Sequence, residues 1–147
     1  GVDVHPPGIG TLLRGIAEQN LTNVRVFQGD ASDILRECIA DGELDRMLIF
    51  FPDPWHKKRH HKRRLIQADF VQLLRRKLRP GAVLHLATDW HNYAQQMLEV
   101  MSAAEGFTNL AGKGEFAGAC DRPQTRFERR GLKLGHGVWD LLFTRTL

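Results

Sequence analysis

Short apolar runs alternate with stretches of helical periodicity along most of the chain, and this pattern constrains the fold more than any other feature. Val2-Asp3-Val4 is typical of the end of a strand, and apolar residues at helical spacing follow between Ile9 and Ile16. A second unit combines a predicted strand at residues 23–27 with a short helix face between Ile34 and Ile39. The first part of the chain therefore predicts two successive strand-then-helix units.

The middle of the chain repeats the same alternation. Met47 to Phe51 is a continuous apolar run, which is typical of a strand buried on both faces of a parallel sheet. The next helix has apolar side chains between Ile66 and Leu74 and is predicted to end near Pro80-Gly81. A strand at residues 82–87 and a helix with an apolar stripe at residues 93–104 follow. These units predict an α/β fold with a mostly parallel sheet, right-handed crossovers and helices on both faces.

The C-terminal part has a different character. Residues 111–123 are rich in glycine and small residues without periodicity, which favours a mobile loop, and residues 138–145 form a final predicted strand. No repeat or linker divides the 147 residues, so we predict a single domain over residues 1–147. No apolar stretch is long enough to span a bilayer, and the first residues lack signal-peptide features, so we predict a cytoplasmic protein without a membrane partner.

Acidic residues follow the predicted strands, at the edge of an α/β sheet where ligands bind. They are Asp3, Asp30, Asp53 and Asp89. Any one such residue more often forms a turn or caps a helix than contacts a ligand. Four of them at one edge favour a binding site.

The segment after the most apolar strand is the most informative. Pro52 and Pro54 restrict the backbone on both sides of Asp53 and present its carboxylate on a stiff loop. Six cationic side chains lie within eight residues: Lys57, Lys58, Arg59, Lys62, Arg63 and Arg64. A charge run is often only a solvated face. Beside Trp55, which could stack on a base, and a fixed carboxylate, the run favours a nucleic-acid partner that binds through phosphate contacts.

A metal site has little support in the sequence. His56, His60 and His61 have a spacing that could share a helical face, but the surrounding positive charge disfavours a divalent cation. Cys38 and Cys120 have no metal-ligand spacing and are predicted to be free thiols. We therefore expect no metal.

Several separated motifs, in their order and spacing, resemble those of the bacterial tRNA (guanine-N7)-methyltransferases over essentially the whole chain. The motifs are residues 1–8 (GVDVHPPG), 29–31 (GDA), 51–64 (FPDPWHKKRHHKRR), 87–90 (ATDW), 122–131 (RPQTRFERRG) and 135–140 (GHGVWD). The resemblance implies a Rossmann-like class I methyltransferase fold with S-adenosylmethionine as cofactor. In that family a first strand and a glycine-rich turn lie upstream of the position of Gly1. We expect them to be missing from this chain, which alone should be unstable or associate with another chain.

The resemblance also implies roles for particular residues. Asp3, where the family usually has Glu, matches the residue that binds the cofactor's ribose hydroxyls, and Asp30 matches the contact to its adenine end. Asp53 matches the active-site residue, which also contacts the cofactor. Substrate-binding positions match Lys57, Asp89, Thr125, Arg126, Phe127 and Glu128. Arg126 stands where the family usually has Lys, which keeps the charge but changes the hydrogen-bond geometry.

The implied activity is transfer of a methyl group to N7 of a guanine in tRNA, in the variable loop, by a monomer or homodimer. Guanine N7 has an in-plane lone pair, so no strong general base is needed, and alignment and charge stabilisation accelerate the step. We hypothesise that Asp53 accepts hydrogen bonds from the Watson–Crick edge of guanine, with Glu128 or Asp89 sharing this role. The base is expected to be splayed from its helix, with Trp55 or Phe127 packing nearby.

Two other functions remain open at this point. An amino-group methyltransferase acting on adenine or another base also has a proline-flanked acidic or amide residue after its fourth strand. A non-catalytic RNA-binding module with a methyltransferase fold is the other alternative. Analysis of the methylated nucleoside distinguishes the first, and a cofactor-binding measurement distinguishes the second.

Overall fold

The order of strands and helices follows the predicted alternation, with antiparallel strands added at the C-terminal end. The computed structural model describes all residues 1–147. The chain divides into two units, residues 1–40 and residues 41–147. The single domain over residues 1–147 stays a prediction. No helix is both long and apolar enough to cross a membrane.

The first unit contains two short parallel strands and two helices. They are β1 (Val2–Asp3), α1 (Pro6–Glu18), β2 (Phe27–Gln28) and α2 (Ala31–Cys38). Val2 pairs with Phe27 and Asp3 with Gln28. Helix α1 begins with two prolines, which suit a helix start because the first N–H groups need no intrahelical partner. Both units predicted here are confirmed, although the second strand is much shorter than expected.

The predicted strand at residues 23–27 is wrong except at Phe27. β1 has two residues and offers a partner only to Phe27 and Gln28. In the rest of this segment the Arg25 carbonyl oxygen accepts from the N-terminal amine of Gly1 at 2.8 Å, and Arg25 Nη1 donates to the carbonyl oxygens of Thr22 and Val24, at 2.9 and 3.1 Å. The alternation of apolar residues was therefore misleading in this segment.

The second unit is a four-stranded sheet with helices. Its elements are β3 (Leu44–Phe50), a 3-10 helix (Lys58–Arg63), α3 (Ala68–Lys77), β4 (Leu78–Thr88), α4 (His91–Ala103), β5 (Phe107–Asn109), α5 (Arg126–Lys133) and β6 (Trp139–Arg145). The strand order is β3-β4-β6-β5. β3 and β4 are parallel, whereas β6 is antiparallel to both β4 and β5. The core includes five fully buried residues of β4 and α4 and one of β6: Leu78, Leu84, Leu86, Tyr93, Met97 and Leu141.

Two predictions in this unit are wrong. β3 is not buried on both faces, since Leu48 is 51% exposed, and it lies at the edge of its sheet. Helix α3 ends at Lys77, and Pro80-Gly81 lies inside β4 rather than before it. The pairing register shifts between Leu44 and Arg46 opposite this dipeptide, and such an irregularity tolerates a proline without its N–H.

The segment at residues 111–123 has the predicted lack of helix and strand, apart from an isolated bridge between Ala117 and Asp140. The final strand is confirmed as β6. The periodicity did not reveal β5, which has three residues, or α5, which has eight. β5 pairs with β6 at the edge of the sheet, and α5 precedes β6 in the chain.

Candidate active site

Two predicted cofactor ligands follow the strands of the first unit. Asp3 ends β1, and its Oδ1 accepts the N–H of His5 at 2.9 Å. Asp30 follows β2 and caps α2, with Oδ1 accepting the N–H of Ser32 at 2.8 Å. Both residues are exposed. Asp3 and Asp30 therefore act as ordinary turn and cap residues, and each carboxylate still reaches solvent.

Asp53 lies on a constrained loop at the carboxyl end of β3. The residues Phe51 and Trp55 have positive φ angles of 52° and 44°, which are uncommon for side chains of this size. The Phe51 N–H donates to the carbonyl oxygen of Ala87 on β4 at 2.8 Å, and the Trp55 N–H donates to Asp53 Oδ1 at 2.9 Å. Asp53 itself is exposed. The loop thus presents one carboxylate to solvent from a restrained backbone.

The basic run divides into two parts. Five of its side chains are exposed: Lys57, Lys58, Arg59, Lys62 and Arg63. Arg64 is only 2% exposed and points into the protein, where it donates to the Pro54 carbonyl oxygen at 2.7 Å. The sequence predicted that the run as a whole contacts phosphates, but Arg64 has its partners within the protein and is not available for such a contact.

Aromatic rings surround the Asp53 loop. Trp55 is half-buried, with the Arg63 guanidinium 5.0 Å from its ring centroid and His60 at 5.9 Å. His56 contacts Trp90 with ring centroids 4.3 Å apart, and Trp90 is 38% exposed. These contacts leave the more exposed Trp90 as a second surface on which a base could stack.

The Thr125 to Glu128 segment forms the start of α5. Thr125 Oγ1 accepts the N–H of Glu128 at 3.0 Å, and the Glu128 carboxylate accepts the N–H of Thr125, which is a capping box. Phe127 is 56% exposed and lies 5.4 Å from the Phe51 ring, so it adjoins the Asp53 loop. Arg126 is exposed. The predicted substrate segment is therefore next to Asp53, but two of its four side chains cap a helix.

Arg122 joins this segment to the sheet. Its guanidinium donates to both oxygens of Asp140, at 2.7 and 3.0 Å, and to both oxygens of Glu128. It also lies 5.4 Å from the Phe50 ring centroid and 5.8 Å from that of Phe51. The hydrogen bonds to Asp140 and then Glu128 raise the pKa of Arg122 above its ordinary value. The Glu128 carboxylate is thus already paired, which disfavours the hypothesis that it binds guanine directly.

Asp140 has a second partner in His85, whose Nε2 lies 2.6 Å from Asp140 Oδ1. Burial acts to raise the pKa of Asp140, but the hydrogen bonds from Arg122 and His85, together with their charges, bring that pKa below its ordinary value. His85, Cys120 and Asp140 place their ligand atoms within 4.8 Å of one another. Because Arg122 already neutralises Asp140, this cluster is better suited to an ion pair than to a metal ion.

The lowered pKa of Asp140 predicts an acid-sensitive contribution to stability. A carboxylate with a folded pKa below its unfolded value stabilises the fold fully above the unfolded pKa, near 3.8, and loses that contribution as pH falls through the folded pKa. We expect Asp140→Asn to reduce the dependence of the unfolding free energy on pH below about pH 5. Urea unfolding at several pH values measures this. Asp69→Asn, an exposed carboxylate on α3, is the control, and equal pH dependence in the Asp140 variant and the wild type would contradict the prediction.

Asp89 follows β4 and is partly buried, with its Oδ2 at 4.0 Å from His136 Nδ1. Lys57 is exposed at the N-cap of the 3-10 helix. Within the second unit, the structure brings Phe127 beside the Phe51 end of the Asp53 loop.

The sequence did not reveal four features of the site, which are the roles of Arg122, Asp140 and Trp90 and the inward position of Arg64. The T-x-x-E spacing was the available signal for the capping box, whereas nothing local marked the partners of Arg122.

Several solved structures share the fold of this chain. A methyltransferase from Streptococcus mutans solved with SAH has a TM-score of 0.63 at 9% identity, covering 98% of this chain and 73% of that one. An rRNA methylase from Streptococcus thermophilus also has a TM-score of 0.63, at 10% identity, over 99% of this chain and 72% of that one. The fold is therefore the Rossmann-like fold of class I S-adenosylmethionine-dependent methyltransferases. A [4+2]-cyclase, SpnF, also matches, with a TM-score of 0.64 at 14% identity over 100% of this chain and 65% of that one, so the fold does not fix the reaction.

The sequence identifies the family. Residues 1–141 match the family described as "Putative methyltransferase", and the chain belongs to it. The tRNA (guanine-N(7)-)-methyltransferase of Pseudomonas aeruginosa (strain UCBPP-PA14) is 62% identical over 146 residues, which are 99% of this chain and 60% of that protein. The protein of the same name from Marinobacter nauticus is 60% identical over 147 residues, 99% of this chain and 62% of that protein. The chain thus spans about three fifths of the length of these relatives.

Proposed function

We propose that the protein to which this chain belongs transfers a methyl group from S-adenosylmethionine to N7 of a guanine in the variable loop of tRNA. The names of the relatives at 60–62% identity support this substrate and this atom. The observation that carries the proposal is the exposed Asp53 carboxylate on its constrained loop, next to five exposed cations. A carboxylate in that position suits a neutral base that becomes cationic on methylation.

The chemistry of the acidic residues fits the cofactor. Asp3 and Asp30 are exposed at the ends of parallel strands, and a carboxylate can accept hydrogen bonds from ribose hydroxyls or from an adenine amine. We assign Asp3 to the ribose and Asp30 to the adenine end, and Asp53 to the cofactor as well as the base. S-adenosylmethionine, when bound, supplies a sulfonium methyl group.

Asp53 orients the guanine and stabilises the charge that develops on it. Guanine N1 and the exocyclic amine are donors, so the carboxylate can accept from both while N7 on the opposite edge remains free. Negative charge near the ring favours the cationic product, and the restrained loop keeps the carboxylate in place before reaction. Asp89 is the second carboxylate at this edge and is assigned to substrate binding. Glu128 is assigned a supporting role through Arg122 and the cap of α5.

The exposed part of the basic run binds the tRNA backbone in this proposal. Lys57 and Arg126 are exposed cations near the loop and near α5, and Thr125 fixes the helix that carries Phe127. N7 lies in a groove of A-form RNA that side chains reach poorly, so the target guanine leaves its stack. Phe127 and Trp90 offer exposed rings on which it can pack.

Replacing Lys57 with Ala tests the backbone contact. Loss of one phosphate contact is expected to lower tRNA affinity and to reduce the slope of log affinity against log salt by about 1. Titrations at several salt concentrations measure it. Arg76→Ala is the control, because Arg76 is also exposed. It lies near the start of β4, which is opposite the carboxyl end of the parallel strand β3 that leads to Asp53. An unchanged slope for the Lys57 variant would remove Lys57 from the interface.

Three further properties belong to the same proposal. We assign the protein to the cytoplasm, because its proposed substrate, tRNA, is found there. We propose that it acts without a metal ion, because a lone pair attacking a sulfonium methyl needs no Lewis acid. We keep both monomer and homodimer as its assembly state, which sedimentation of the full-length protein resolves.

The atom that receives the methyl group can be tested directly. Transcripts of unmodified tRNA made with 7-deazaguanosine have carbon in place of N7 and retain the Watson–Crick edge. We expect the full-length protein to methylate the ordinary transcript and to leave the 7-deazaguanosine transcript unlabelled. Equal labelling of both transcripts would show that another atom is methylated.

A further inference from the structure

Arg64 is a buried cation without a carboxylate among its hydrogen-bond partners. Its Nε donates to the Pro54 carbonyl oxygen at 2.7 Å, Nη1 to Gln96 Oε1 at 2.6 Å and Nη2 to Asn92 Oδ1 at 2.9 Å. The guanidinium lies 4.7 Å from the centroid of the Tyr93 ring. Burial removes part of the solvation of the guanidinium and so lowers the pKa of Arg64. The partners are one loop carbonyl and three side chains of α4.

The geometry separates Arg64 from the rest of the basic run. A phosphate contact needs a side chain that reaches solvent, and Arg64 is 2% exposed while Arg63 beside it is exposed. Pro54 directly follows Asp53, so the bond from Arg64 fixes the carbonyl of the peptide that joins Pro54 to Trp55. The same peptide supplies the N–H that Asp53 Oδ1 accepts. One peptide group is thus held from both sides, by Arg64 at its oxygen and by Asp53 at its nitrogen.

Resting on the function proposed above, we propose that Arg64 is a positioning residue that fixes the Asp53 loop against α4 and does not contact RNA. The planar fork of the guanidinium reaches three acceptors in different directions, which an ammonium at the end of a lysine cannot reproduce. The α4 side of the contact is itself anchored, because the Tyr93 hydroxyl accepts the N–H of Ile66 at 3.1 Å. Burial raises the pKa of Tyr93 to about 12, so this hydroxyl stays protonated at neutral pH. Arg64 therefore links α4 to the loop that carries the Asp53 carboxylate.

A matched pair of charge-conserving variants tests the proposal in the full-length protein. Arg64→Lys is expected to lower kcat at saturating tRNA by about tenfold to a hundredfold, because small displacements of a reacting group have effects of this size. Its KM for tRNA and the salt dependence of tRNA binding should stay as in the wild type. Arg76→Lys, an exposed arginine near the end of α3, is the control and should keep kcat within about twofold of the wild type, as expected for a charge-conserving surface change.

A second measurement is independent of catalysis. Hydrogen exchange of the peptide that covers residues 51–57 should be faster in Arg64→Lys than in the wild type, and unchanged in Arg76→Lys. Gln96→Ala removes one Arg64 partner without altering the loop or the charge, and it should give a smaller change of the same kind. This variant keeps the test open if Arg64→Lys folds poorly.

The outcomes distinguish this inference from the proposed function. A wild-type protein that methylates no RNA would defeat the proposed function, and the exchange measurement would still decide whether Arg64 fixes the loop. Wild-type kcat with weakened tRNA binding in Arg64→Lys would make Arg64 an RNA contact and overturn the inference. Unchanged exchange at residues 51–57 would overturn it as well.

Discussion

Replacing Asp53 with Asn is expected to lower kcat for methyl transfer to tRNA by about 10²- to 10³-fold, the usual cost of removing one pre-organised electrostatic group. The amide keeps the shape of the side chain and still accepts the Trp55 N–H, so the loop is retained. It removes the negative charge that stabilises the cationic ring. Its amide NH₂ group also faces the Watson–Crick edge of guanine, where N1 and the exocyclic amine are themselves donors. Single-turnover kinetics at saturating tRNA measures the effect.

The control for this variant is Asp45→Asn. Asp45 lies at the beginning of β3, opposite the end that leads to Asp53, and it forms an exposed ion pair with Arg79. Its replacement should leave kcat within about twofold, since exposed ion pairs contribute little. Unchanged turnover in Asp53→Asn, with normal tRNA binding, would remove Asp53 from the site.

Replacing Arg122 with Ala is expected to lower the free energy of unfolding by about 3–5 kcal/mol, the range for removing one partner of a buried ion pair. The side chains of Asp140 and Glu128 are each 12% exposed, and both would lose the guanidinium, which leaves Asp140 with His85 as its remaining side-chain partner. Two carboxylates that now share a guanidinium would face each other without one. Activity should fall too, because α5 and Phe127 lose their tie to the sheet.

Urea unfolding of the full-length protein measures this loss. Arg129→Ala is the control, because Arg129 is exposed on the same helix, and it should stay within about 0.5 kcal/mol of the wild type. A stability of Arg122→Ala equal to that of the control would show that the two carboxylates do not depend on Arg122.

The sequence predicted the parts of this fold that depend on local periodicity. Helices α1 to α4 and strands β3, β4 and β6 lie where apolar spacing placed them, because apolar side chains recur at helical spacing in the helices and close together in the strands. Boundaries were less predictable. Pro80-Gly81 ends a helix in most contexts, but here a register shift lets β4 pass through it.

The candidate site was predictable in its carboxylates and less so in its cations. Asp53 stands out because two prolines flank it after a strand, and its exposure follows from that loop. Arg64 and Arg63 are indistinguishable in the sequence, since only the tertiary position of Pro54, Asn92 and Gln96 decides which of them is buried. Arg122 was similarly hidden, because its partner Asp140 lies 18 residues away along the chain.

The most direct test of the central claim is nucleoside analysis after the full-length protein has acted on unmodified tRNA with labelled S-adenosylmethionine. We predict that the label appears in 7-methylguanosine from the variable loop. A different methylated nucleoside, or tRNA that binds without receiving a methyl group, would contradict it.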